Sequence, residues 1–145
     1  WNNQYLGTDT FNDYRNTLVK RLVEKALALN PDDTTAHHLK ANLLRANEEW
    51  AEAESEYSLA IESDPQSAAI YEDYAEFLEE VGRLEEAVDA GLQSYKLDPL
   101  TPLYITAYAE ALVDAGDYAA AERFYYLAIQ QDNEPGTSQY RLFTI

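Results

Sequence analysis

The chain has 145 residues, 46% hydrophobic and 26% charged, the balance of an ordinary folded domain. Its 27 acidic against 10 basic residues leave a formal charge of −17, which repels phosphate backbones and anionic lipid surfaces and so argues against nucleic acid or membrane partners. The absence of cysteine excludes disulfides, thiolate nucleophiles and Cys-ligated zinc.

The opening WNNQYLGTDT has neither the basic end nor the apolar segment of a signal peptide. No stretch approaches the roughly 20 apolar residues of a membrane helix. Because methionine is absent throughout, we expect the chain to begin inside a longer protein, so its compartment is not legible from this end. From Phe11 to Leu29 apolar residues recur at helical spacing, through Leu18, Val19, Leu22, Val23 and Ala26, and the run stops before Pro31. This predicts one long helix, preceded by the remnant of a cut or irregular unit, in a partial N-terminal repeat over 1–33.

Beyond it the sequence is periodic. Pro31, Pro65 and Pro99 are 34 residues apart, and proline cannot continue a helix, so each marks a stop. The same step relates Ala41, Ala75 and Ala109, and again Ala53, Ala87 and Ala121. Small residues recurring at one point of paired helices are what close helix packing requires. Leu44, Leu78 and Leu112 form a bulky column, with Tyr74 and Tyr108 in another. The period divides the chain into units over 34–67, 68–101 and 102–135. Within them Gly82 and Gly116 are placed to end a helix in the left-handed conformation, with Asn47 as the expected substitute in the first unit. Asp32, Asp33 or Thr34, then Ser67, then Thr101, are the expected N-caps. Gly91 and Ser94 stand where the other units carry an aromatic (Tyr57, Tyr125) and an alanine (Ala60, Ala128), predicting looser packing or a small cavity. Asn133 replaces the next proline and Pro135 comes two residues late, so the array is expected to stop or turn there, with 136–145 a truncated capping helix or tail.

These columns resemble the tetratricopeptide repeat, matched by Ala41, Leu44, Ala53, Tyr57, Ala60 and Pro65, by Tyr71, Tyr74, Ala75, Leu78, Gly82, Ala87 and Pro99, and by Ile105, Tyr108, Ala109, Leu112, Gly116, Ala121, Tyr125 and Ala128. The resemblance implies an all-α fold, a right-handed superhelical solenoid of antiparallel helix pairs. It also implies a non-catalytic scaffold that binds a peptide or protein segment on the concave face of each unit's first helix. By that register the partner-binding positions are His38, Asn42, Arg45, Glu72, Asp73, Glu76, Glu79, Thr106 and Glu110. The wall is acidic in its middle, which favours a basic partner. The family's chaperone-tail binders hold a carboxylate with Lys, Arg and Asn. Here only Asn42 matches, while Glu72, Asp73, Glu76 and Glu110 replace the basic groups, so a C-terminal carboxylate ligand is not expected.

Chemistry of other kinds finds no footing in the sequence. There is no Gly-rich phosphate loop, no metal-ligand cluster, no Asp-rich calcium loop and no activated nucleophile, so neither an enzyme nor a cofactor or metal site is expected. His37 and His38 point about 100° apart on a helix and cannot share one ion from the same face. Tyr57, Tyr74, Tyr108 and Tyr125 fall on packing columns and read as core. Tyr104 and Tyr126 lie off the main columns and read as possible exposed contacts. The phrases ALALNPDD, EWAEAESEYSLAIESDP and LDPLTPLY also resemble the repeat arrays of bacterial adenylate cyclases and winged-helix transcription regulators. That resemblance implies a sensory or oligomerisation arm, and exposed repeat ends would allow a homo-oligomer.

Overall fold

The computed structural model describes residues 8–131, with side chains from residue 14 onward. Seven α-helices and no strand occur among them: α1 (Thr8–Leu29), α2 (Thr34–Ala46), α3 (Trp50–Ser63), α4 (Ala68–Glu80), α5 (Leu84–Leu97), α6 (Pro102–Asp114) and α7 (Tyr118–Gln131). The long first helix is present and begins three residues before Phe11. The expectations for WNNQYLG, Pro135 and the tail TSQYRLFTI lie outside the described residues. Helices α2, α4 and α6 start at the 34-residue step, and each packs on the helix that follows it.

The alanine columns are where those helices meet. Ala41, Ala53, Ala87, Ala109 and Ala121 are fully buried and Ala75 nearly so, which lets the paired backbones come close. The chain forms two compact units, Trp1–Asp64 with α1 to α3 and Pro65–Ile145 with α4 to α7. In the first, Tyr57 is fully buried beside Ala41, Ala53 and Ala60 as core residues. In the second, Ala109, Leu112, Ala120, Ala121 and Tyr125 form one cluster, with Val88, Tyr108, Val113 and Phe124 packed on its edge. Fully burying a side chain of Leu or Phe size contributes about 1.5–3 kcal/mol, so these few large groups carry much of each unit.

Each pair turns through the same motif. Glu49 N–H donates to Leu44 O at 2.9 Å, Arg83 N–H to Leu78 O at 2.8 Å, and Asp117 N–H to Leu112 O at 2.8 Å. These six-to-one bonds need a left-handed residue just before the donor. Gly82 and Gly116 supply it with φ of 79° and 85°. In the first unit the residue is Glu48, with φ of 60°, while Asn47 at φ −94° only caps α2. The expectation for Asn47 is therefore corrected: Glu48 is the residue one period before Gly82.

The caps also differ in part from expectation. Asp33 caps α2 by accepting from Ala36 N–H at 2.8 Å. Ser67 and Thr101 occupy cap positions without a side-chain cap bond. The Thr101 hydroxyl instead donates to Asp98 Oδ2 at 2.7 Å, and Asp98 Oδ1 accepts from the Leu100 and Thr101 amides at 3.2 Å. Those bonds hold the Asp98 carboxyl below its usual pKa, the Thr101 hydroxyl contributing most.

Gly91 leaves no cavity. A Cβ built there would lie 3.1 Å from Tyr108 Cα, so the glycine lets the α5 backbone approach the α6 backbone closely. Ser94 is fully buried and donates to Ala68 O at 3.0 Å, tying α5 to the start of α4. Both departures from the repeat pattern thus tighten the packing that they were expected to loosen.

Candidate functional site

Helix α4 carries Glu72, Asp73, Glu76 and Glu79 at spacings that keep them on one side of the helix. All four are half-buried. One ligand oxygen from each of Glu72, Asp73 and Glu76 falls within 4.8 Å of the others, the sole such three-member grouping among the described residues. Three carboxylates converging at that distance can accept hydrogen bonds from one Lys ammonium or one Arg guanidinium. Helix α6, packed against α4, adds the half-buried Thr106 and Glu110.

Tyr104, in the first turn of α6, belongs beside this group. Its phenol is pushed above its ordinary pKa, by burial first and then by the negative charge of Asp98, Glu72 and Asp73. The sequence reading singled it out only as a possible exposed contact. Its position two periods after the buried Ala36 and one after the buried Ile70 is the signal that would have turned it toward the protein.

The three remaining predicted positions lie in the first unit, on α2. Asn42 Oδ1 accepts from the buried Tyr57 hydroxyl, and the His38 ring lies 6.4 Å from the Tyr57 ring at 52°. Both residues therefore serve the α2–α3 pairing. Arg45 occupies the last turn of α2, where a cation suits the helix dipole. The structure thus gathers Glu72, Asp73 and Glu76 into one group and gives His38 and Asn42 packing partners of their own.

His37 has a different role from its neighbour, which adjacency in sequence could not reveal. It is buried, with Nδ1 2.6 Å from Glu56 Oε2 and Nε2 2.8 Å from Pro31 O. Lys40 Nζ donates to the other Glu56 oxygen at 2.6 Å. Both ring nitrogens face acceptors, so the imidazolium is the form that satisfies both bonds. Burial alone lowers the His37 pKa, but the bonds to Glu56 and Pro31 outweigh it and the net shift is upward. Glu56 is likewise opposed by burial and carried below its ordinary value by His37 and Lys40. The cluster is internal to the first unit and holds α2, α3 and the Pro31 turn together.

An array of helix pairs recurring every 34 residues defines a helical repeat protein. A model of the tetratricopeptide repeat matches residues 20–68 and again 38–102, more than half of the chain. The chain belongs to the tetratricopeptide repeat family, whose members are in general non-catalytic protein-interaction scaffolds. No match is found among curated proteins.

Among solved structures, the TPR2B domain of yeast Sti1, in a pHsp70 complex, is 21% identical, with a TM-score of 0.69, covering 77% of this chain and 90% of that one. The Sgt2 TPR domain from Aspergillus fumigatus is 20% identical with a TM-score of 0.68, covering 74% and 72%. The RS-1 ArsTM double mutant of MamA is 20% identical with a TM-score of 0.71, covering 85% and 68%. At these identities the shared property is the fold. No described helix is long and apolar enough to cross a membrane.

Proposed function

We propose that the chain is a non-catalytic scaffold that holds a basic segment of a partner protein on the acidic side of α4, with α6 completing the wall. The observation that carries this reading is the convergence of Glu72, Asp73 and Glu76. Glu79, Thr106 and Glu110 extend the contact along the same helices, and the Tyr104 ring offers a stacking surface for a guanidinium or for a lysine stem. His38, Asn42 and Arg45 form a separate polar stretch of α2 within the first unit, a contact surface of its own. The Sti1 domain is seen with pHsp70. A carboxylate-rich tail would meet like charge on α4 here, so the partner chemistry proposed is the opposite one.

Selection from a random peptide library supplies the test. Selected peptides should be rich in Lys and Arg, and the double substitution Glu72→Gln with Glu76→Gln should weaken them at least tenfold. Peptides without basic enrichment, or affinities indifferent to the two substitutions, would sink the reading.

A further inference from the structure

The His37 ring stands between two acceptors from different parts of the first unit. Nδ1 lies 2.6 Å from Glu56 Oε2 on α3, and Nε2 lies 2.8 Å from the Pro31 carbonyl in the turn that follows α1. Only the imidazolium has a proton for each. A neutral ring keeps one proton, on Nδ1, because a bond to a carboxylate is about twice as strong as one to an uncharged acceptor. Lys40 Nζ, at 2.6 Å from the other oxygen, holds Glu56 in place for it. The Nε2 lone pair then faces the Pro31 oxygen, and a bond becomes a repulsion. Among the described residues, the charged groups acting on the ring are Glu56 from α3 and Lys40 from α2, and from the α1 side it meets the uncharged Pro31 carbonyl.

The turn is held differently on its two sides. Beyond Pro31 it is pinned to α3 by hydroxyl groups that do not titrate near neutrality. Ser63 Oγ donates to Asp32 O at 3.4 Å and lies 2.5 Å from Thr34 Oγ1. Pro31 itself, at the end of α1, is held by the His37 ring. A change of charge on that ring therefore acts on the α1 side of the turn and leaves the α2 side anchored.

Packing does little to hold α1 once that bond is lost. In the second unit, two periods on, a Cβ at Gly91 would lie 3.1 Å from Tyr108 Cα, and the Tyr95 ring stacks on the Tyr108 ring at 6.1 Å, so α5 is seated closely on α6. The counterparts of Gly91, Tyr95 and Tyr108 are Val23, Leu27 and Lys40. These instead line a cavity of about 520 Å³ between α1 and α2, together with Leu43 and Leu44. The counterpart of His37 is the fully buried Ile105, which has no polar atom to offer the Pro99 turn. The joint between α5 and α6 thus rests on packing, and the joint between α1 and α2 leans on a titratable ring.

We propose that His37 is a proton-operated latch on the joint between α1 and α2. The imidazolium clamps the Pro31 turn to α3. Loss of the Nε2 proton to solvent frees the end of α1 to swing from α2 about the Asp32 pin, opening the crease of Val23, Leu27, Leu43 and Leu44. The latch is closed around the ordinary histidine value of 6.5 and opens as pH rises through the raised value that His37 has in the fold.

Two measurements on the full chain test this. Nitrogen-15 NMR of the imidazole across pH should show Nε2 losing its proton while Nδ1 keeps its own. Native-state hydrogen exchange in low urea then follows the amides of residues 26–30, where Asn30 N–H is bonded to Ala26 O at 2.8 Å. Corrected for intrinsic rates, their protection should fall about three- to tenfold through the His37 titration, the equivalent of one net hydrogen bond. That opening should depend weakly on urea, because it exposes far less surface than unfolding does. The Tyr57 and Ala60 amides, buried on α3, should exchange through the urea-dependent unfolding of the unit. His37→Gln should leave the protection of residues 26–30 independent of pH. Loss of the Nδ1 proton in place of the Nε2 proton would overturn the proposal. So would protection at residues 26–30 that is unchanged through the titration, or that shares the urea dependence of Tyr57.

Discussion

His37 and Glu56 are 19 residues apart in sequence and 2.6 Å apart in space, and the second unit shows what they replace. Two periods on from His37, Lys40 and Glu56 stand Ile105, Tyr108 and Phe124, where the Tyr108 and Phe124 rings meet edge to face at 4.6 Å. An ionic junction thus occupies the place of an aromatic one. Leaving a buried partner of such a bond unsatisfied costs about 1–3 kcal/mol, so His37→Ala should lower unfolding free energy by that amount in urea titration. The pH dependence follows from the two shifts. His37 is raised in the fold, so its contribution is complete below its ordinary value of 6.5 and is lost as pH rises through the raised one. Glu56 is lowered, so its contribution is complete above its ordinary value of 4.5 and is lost as pH falls through the lowered one. The cluster should therefore stabilise most between those two ordinary values. Urea midpoints measured across pH should decline as pH rises past 6.5 in the parent chain, and His37→Gln should flatten that decline.

At the scale of the helix pair, two substitutions with opposite signs follow from the turns and crossings. Glu48 takes a left-handed backbone that glycine adopts freely and other residues at a cost of about 1–2 kcal/mol, so Glu48→Gly should raise thermal stability. Gly91→Ala should lower it, despite alanine's helix propensity, because the new Cβ meets Tyr108 backbone at 3.1 Å. Overpacking of that kind costs about 1–3 kcal/mol. These two residues also mark how far the sequence could be read. The 34-residue step places every helix pair, since prolines and buried alanines repeat in register, and that register also points at position 48. Residue type pointed at Asn47 instead, because asparagine tolerates the left-handed region better than glutamate. Gly91 was readable as an anomaly but not as a close contact, since its partner lies on another helix. Glu72, Asp73 and Glu76 were legible because one helix displays them all. The His37 cluster and Tyr104 were not, because their neighbours come from other elements.

The whole molecule is polarised as well as acidic. The basic residues from Pro65 to Gln131 are Arg83, Lys96 and Arg123, whereas α1 and α2 hold Arg15, Lys20, Arg21, Lys25, Lys40 and Arg45. With a formal charge of −17, repulsion among carboxylates opposes the compact state. Raising salt from about 0.01 to 0.15 M shortens the Debye length from about 30 to 8 Å, and the melting temperature should climb over that range. The central claim is narrower: the carboxylates of α4 recognise basic side chains of a partner segment. A charge-swap cycle tests it most directly. The affinity of a selected Lys- or Arg-bearing peptide is measured for the parent chain and for Glu76→Lys, and then for both chains with one basic residue of the peptide changed to Glu. The account predicts that each single reversal weakens binding at least tenfold and that the double reversal restores most of it. Losses that simply add, with no recovery in the double reversal, would contradict it.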